Sequence, residues 1–120
     1  MTALDIPGKV TAIGAYAFKS CTAVSDAALP DSLTAIGDSA FHTCTGLEAI
    51  VIPAQVETIG DYSFSGSVNL HQITFLGDAP AIGSGAFNRI TATACYPGGN
   101  ATWTEAVRQN YGGTITWTAR

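Results

Sequence analysis

Charge is the first thing this sequence lacks. Asp, Glu, Lys and Arg make up 12% of its 120 residues, where soluble domains average about 25%. Nine acidic residues face five basic ones, for a formal net charge of −4. Phosphate backbones are bound by clustered Lys and Arg, and five scattered ones argue against a nucleic-acid partner. Long apolar runs are missing too. No stretch reaches the ~18 residues a membrane helix needs, and no basic start leads into an apolar segment as in a signal peptide. Cysteine is scarce and odd in number, at three, which argues against a disulfide framework. Gly83-Ser84-Gly85 lacks the rest of any nucleotide fingerprint, and no G-K-[ST] occurs. The length suits one domain, and 47% of it is apolar.

What the chain has is a period. Pro7, Pro30 and Pro53 are 23 residues apart, as are Ile13, Ile36, Ile59 and Ile82, each followed by glycine. The same step links Phe18, Phe41, Phe64 and Phe87, then Ile6, Leu29, Ile52 and Phe75, and also Cys21 with Cys44. Written once, the unit is L-x-x-I-x-I-P-x-x-V-x-x-I-G-x-x-A-F-x-x-C. A unit this short cannot bury its own apolar face, so neighbours must stack and share a core. Ile50 and Ile52 are two apart, strand spacing, and Pro53 ends the ladder where no backbone donor is needed. Val56 to Ile59 is a second short extended piece. The D-x-x-F segment after each glycine predicts about one helical turn, N-capped by Asp38, Asp61 and Ser84. Ala15 cannot cap, so the first unit should have the loosest turn.

Stacked coils lie about 4.8 Å apart, which sets each repeated residue above its own copy. Phenylalanines and isoleucines then form two interior ladders, each large buried side chain worth roughly 1.5–3 kcal/mol before conformational entropy is subtracted. From Thr91 the pattern changes. Thr91 to Tyr96 falls one period after Val68 to Ile73 and predicts a further strand. Thr102-Trp103-Thr104-Glu105 has capping-box spacing and predicts a short helix to about Tyr111, stopped by Gly112-Gly113. Thr114 to Thr118 is a final strand, and Trp103, Tyr111 and Trp117 suit a cover for the open end. Residues 1–90 thus form the solenoid and residues 91–120 its cap, within one structural domain. Met1 to Ile6 is already in register as a first strand, with no cover before it. Either the chain comes from a longer protein or its edge pairs with another copy.

The unit I-P-x-x-V-x-x-I-G-x-x-A-F-x-x-C resembles the BspA-like family of bacterial leucine-rich repeats over residues 1 to about 90. The tail from Thr91 to Trp117 resembles the terminal cap of such domains in gut-bacterial surface proteins. Gly66-Ser67 departs from the family pattern at the third cysteine position, and the fourth unit has no I-P. The resemblance implies a right-handed leucine-rich-repeat solenoid, mostly β with short helical turns: about four 23-residue repeats plus a capping helix and strand. It also implies a secreted or cell-surface location and adhesion to host-matrix or bacterial surface proteins. No enzymatic activity and no cofactor come with it.

The candidate chemistry is sparse. Cys21 and Cys44 should lie about 5 Å apart, within disulfide range, although ladder positions point side by side, which favours free thiols over a bridge. A zinc site needs three or four converging ligands, and Cys-x22-Cys supplies two. His42 and Cys44, two apart, do not face each other as a catalytic pair. Asp38 and Asp61 suit capping better than acid–base work. The outward positions of the long sheet could carry binding: Asp26, Ala49 and Gln72, then Val51 and Thr74, flanked by Glu48 and His71. This face holds none of the Trp, Tyr and Arg anchors of tight interfaces. Tyr16 and Tyr62 share an outward column near the turns. The reading is a non-catalytic interaction or adhesion module, with a structural spacer in a wall-attached protein as its rival. The expected partners are extracellular proteins, without nucleic acid or membrane insertion. The chain is a monomer, or an edge-to-edge dimer through its first repeat.

Overall fold

The computed structural model describes residues 2–120, with the backbone alone for Thr2–Asp5 and Asp26. Ten strands follow in chain order: β1 (Thr2–Asp5), β2 (Ala12–Ile13), β3 (Val24–Ala28), β4 (Ala35–Ile36), β5 (Ala49–Ile52), β6 (Thr58–Ile59), β7 (Gln72–Phe75), β8 (Ala81–Ile82), β9 (Thr91–Tyr96) and β10 (Thr114–Ala119). They form two parallel sheets, one ordered β1-β3-β5-β7-β9-β10 and the other β2-β4-β6-β8. Up to β9, odd strands share one sheet and even strands the other, and β10 joins the odd-strand sheet, so each unit is one coil of a β-solenoid of about five turns. The register follows the period: Ala49 pairs with Gln72, Ile50 with Ile73, and Ile36 with Ile59.

The core is the set of repeated apolar columns. The four phenylalanines form one interior row, with ring centroids 5.4, 5.3 and 6.0 Å apart. Phe41, Phe64 and Phe87 are fully buried. Phe18, in the first coil, is half-buried. Ile13, Ile36 and Ile59 form a second buried column, and Ile6, Ile52 and Phe75 lie in a third.

The third side of each coil corrects an expectation. No helix is present among the described residues. Each D-x-x-F segment is a run of overlapping three-residue turns, with Ala17 N–H donating to the Gly14 carbonyl and Lys19 N–H to that of Tyr16, both at 3.2 Å. The alternate amides leave the coil. Tyr16, Phe18 and Ser20 donate to the carbonyls of Asp38, Ala40 and His42 in the next coil at 3.0, 2.8 and 2.7 Å. Left-handed residues explain why no helix forms, since an L-residue at positive φ cannot propagate a right-handed one. Tyr16, Ser39, Tyr62 and Gly85 form one such column, with φ of 60°, 54°, 56° and 64°. Ser20, Thr43, Gly66 and Arg89 form another, with φ of 61°, 58°, 77° and 68°. The aspartates therefore do not cap their own coil. Asp38 Oδ1 accepts from the Asp61 N–H, and Asp61 Oδ1 from the Ser84 N–H, each at 2.8 Å. Gly60 is required here, because a Cβ on it would lie 2.4 Å from Asp38 Oδ1. Ala15 has no oxygen to offer Asp38, so its effect falls on the second coil rather than the first.

Residues 91–120 add one more coil. β9 joins β7 two residues out of the expected step: Thr93 pairs with Gln72, not with Leu70 one period earlier. β10 then returns to the period, with Thr114 opposite Thr91. The helix expected from Thr102 to Tyr111 is absent, and the segment runs as turns. Thr102 Oγ1 is used elsewhere, accepting from the Ala79 N–H at 2.8 Å and so tying this coil to the one before it. Trp103 is buried against Phe75 at 4.7 Å and Trp117 at 5.6 Å, with its indole N–H on the Gly77 carbonyl at 2.9 Å. Tyr111 meets Phe87 edge-on at 5.9 Å.

Candidate functional site on the long sheet

Strand alternation turns Ile50, Ile52, Ile73 and Phe75 inward and leaves their neighbours outside. Pairing sets Ala49 beside Gln72 and Val51 beside Thr74, with Asp26 opposite Ala49 on the other side. The side chain of Asp26 lies outside the described residues. Val51 is 48% exposed, Glu48 and His71 are exposed, and Ala49, Gln72 and Thr74 are half-buried. Gln72 Nε2 reaches Cys95 Sγ at 3.3 Å, so part of its amide is spent within the sheet.

Two features shape this face. Over Ala28, Ala49 and Val51 lies a shallow apolar depression of about 270 Å³. Beside it, at the strand entrances, Glu48 and His71 line an open cleft of about 380 Å³ together with Thr45, Gly46 and Asn69. The His71 N–H donates to the Glu48 carbonyl at 2.9 Å, and Asn69 Nδ2 donates to the Thr45 carbonyl at 2.6 Å. His71 Nδ1 lies 3.2 Å from the Asn69 carbonyl, which can only accept. Thr45 and Asn69 escaped sequence reading because they precede the strands, in a loop with no alternation to place them. The signal available was the column pairing Gly46 with Asn69, a small residue beneath an amide.

The other candidates are structural. All three cysteines are free, Cys44 buried and Cys21 and Cys95 half-buried. Cys44 Sγ donates to the Phe18 carbonyl at 3.0 Å, and burial pushes its thiol above the ordinary value. His42 Nδ1 pairs with Thr43 Oγ1 at 2.7 Å, so its partner is not Cys44. Among the described residues no three His, Cys, Asp or Glu side chains group for a metal ion. Among the described residues, no helix is long and apolar enough to cross a membrane. Tyr16 and Tyr62 are 59% and 47% exposed on the turn side, away from the long sheet.

A family model, the BspA type leucine rich repeat region, matches residues 1–96 in six copies. The chain belongs to this family. The BspA-type repeat is a scaffold kind of domain, often a module for protein interaction or surface adhesion, and its members are typically surface or secreted proteins. No curated protein and no solved structure matches the chain. In this BspA-type array the sequence-read face is continuous across β3, β5 and β7, so its residues come together through register rather than through any local motif.

Proposed function

We propose that this chain is a non-catalytic interaction or adhesion module of a bacterial cell-surface protein, binding extracellular proteins through the outward face of the long sheet. One observation carries the reading: an exposed apolar depression at Ala49 and Val51 beside a polar cleft at Glu48 and His71. An apolar patch with a polar rim is the usual anatomy of a protein contact. The face offers no aromatic or arginine anchor, which favours a broad, weak contact that gains strength from repeated copies on one surface. That same lack of anchors supports the second reading, a spacer that holds another binding domain away from the wall.

The discriminating experiment displays the chain on beads and measures retention on immobilised extracellular-matrix proteins. Glu48→Ala, Val51→Asp, His71→Ala and Thr74→Asp combined should abolish retention while thermal unfolding shows the fold intact. Retention unchanged by all four substitutions would reject the sheet face, and no retention by the parent chain would favour the spacer.

A further inference from the structure

The turn side carries a second concavity, away from the long sheet. Where the last coil meets the fourth, a groove of about 520 Å³ is lined by Tyr62, Ile82, Gly83, Ser84, Gly85, Asn88, Gln109, Tyr111 and Gly112. Its volume lies in the ordinary range for small-ligand sites, about 300–1,000 Å³. Its composition is unusual for a chain of net charge −4. Every lining residue is uncharged at neutral pH, and the set combines two tyrosines, two amides, one hydroxyl and bare glycine backbone.

The parts are held in place. A Cβ on Gly85 would lie 2.4 Å from Tyr62 Cε1, so the missing side chain is what lets the half-exposed ring lie there. Tyr111 is fixed at both ends, its ring edge-on to Phe87 and its phenol donating to the Val107 carbonyl. The Gln109 backbone carbonyl accepts from Trp117 Nε1 at 2.9 Å, and its side-chain Nε2 donates to the Ala106 carbonyl at 2.5 Å, which leaves one amide N–H and the amide oxygen for a ligand. Asn88 donates through Nδ2 to Ser65 Oγ at 3.2 Å, and its amide still carries a second N–H and a carbonyl oxygen.

We propose that this groove binds a neutral oligosaccharide, with Tyr62 as the apolar platform and Asn88 and Gln109 as amide partners for hydroxyl groups. A sugar ring has an apolar C–H face and a rim of hydroxyls that both donate and accept, which an aromatic ring flanked by amides matches. A phosphorylated or acidic ligand would need a cation, and the lining has none. A bound peptide would pair along a strand edge or fill apolar sockets for alternate side chains; β8 is the free edge of the short sheet and lends Ile82 to the lining, but its two residues give too short a ladder for one. The site is separate from the sheet face, so the two readings stand or fall independently.

The experiment titrates the intact chain with hexasaccharides of β-1,4-glucose, β-1,3-glucose, α-1,4-glucose and β-1,4-mannose, following backbone and side-chain amides by NMR. At least one should shift Gly83, Gly85, Gly112 and the Asn88 and Gln109 side-chain amides, leaving Gln72 unmoved. Tyr62→Ala should weaken binding about tenfold or more, a loss equivalent to about 1.4 kcal/mol. Gln109→Ala should also weaken it, whereas Tyr62→Phe retains most of it. Tyr16→Ala, in the same column but outside the groove, should change nothing. Failure of all four sugars at millimolar concentration, or shifts confined to the sheet face, would overturn the proposal. So would affinity unchanged in a folded Tyr62→Ala protein.

Discussion

Two serines four residues apart show how a position's neighbours decide the worth of a hydroxyl. Ser63 and Ser67 are both fully buried. Ser67 Oγ donates to the Phe41 carbonyl at 2.7 Å and accepts from the Cys44 N–H at 3.0 Å. Cys44 Sγ likewise donates to Phe18, one coil earlier, so serine replaces cysteine there with its bonding kept. Ser63 stands where the other coils have Ala17, Ala40 and Ala86, and its Oγ has no partner. Urea unfolding should therefore give opposite signs. Ser67→Ala should cost about 1–3 kcal/mol by orphaning two buried backbone groups, while Ser63→Ala should stabilise by about 1 kcal/mol. Cys44 adds a pH dependence. Desolvation raises its folded thiol pKa above the ordinary 9.0, partly offset by a backbone hydrogen bond to Cys21. The folded state then holds the proton more tightly than the unfolded chain. Its contribution is present below pH 9.0 and is lost as pH rises through the folded value. Cys44→Ser should flatten that alkaline decline in stability measured from pH 8 to pH 11, a range roughly bracketing the thiol's titration.

At the scale of the element, the turn side is governed by two left-handed columns. A Cβ added at Gly66 would lie 3.2 Å from Thr43 Oγ1, a tight contact that this hydroxyl must ease by a small shift. Gly66→Ala should therefore cost at least the conformational penalty of a left-handed alanine, about 1–2 kcal/mol, with the contact to Thr43 added to it. Ser20→Gly, in the same column at φ 61° and exposed, should move stability the other way by up to about 1 kcal/mol, since glycine's greater unfolded-state entropy takes back part of the gain. Denaturant midpoints of the two variants test both. The strands were legible in the sequence because alternation and proline mark them directly. The turns were not. A D-x-x-F segment has the caps and spacing of a helix, and local chemistry alone favours one. The coil above offers carbonyls at the right height, and the amides go there instead.

For the whole molecule, stability should follow position in the stack, because each coil touches only its neighbours. Trp103 is buried among Phe75, Tyr96 and Trp117 in the last coil. Phe18 is half-buried in the first. Trp103→Ala should cost about 3–5 kcal/mol, and Phe18→Ala clearly less, measured by calorimetry. Hydrogen exchange should show weaker protection in β2 than in β6. The sheet-face residues were legible as columns, since Glu48, Val51, His71 and Thr74 follow from strand alternation and the 23-residue step. The cleft partners Thr45 and Asn69 and the groove beside Tyr62 were not, because their neighbours come from loops and from the last coil.

Sequence determined the period, the buried columns and the two sheets, because which side chains are apolar, and how far apart, is written in the chain. Tertiary structure decided where the polar backbone groups go. Until the next coil is in place an amide can bond only within its own, and once both are stacked the expected helices give way to bonds between coils. The same reasoning covers the slip at Thr93 and the uncharged groove, each of which exists only once the last coil has settled against the fourth.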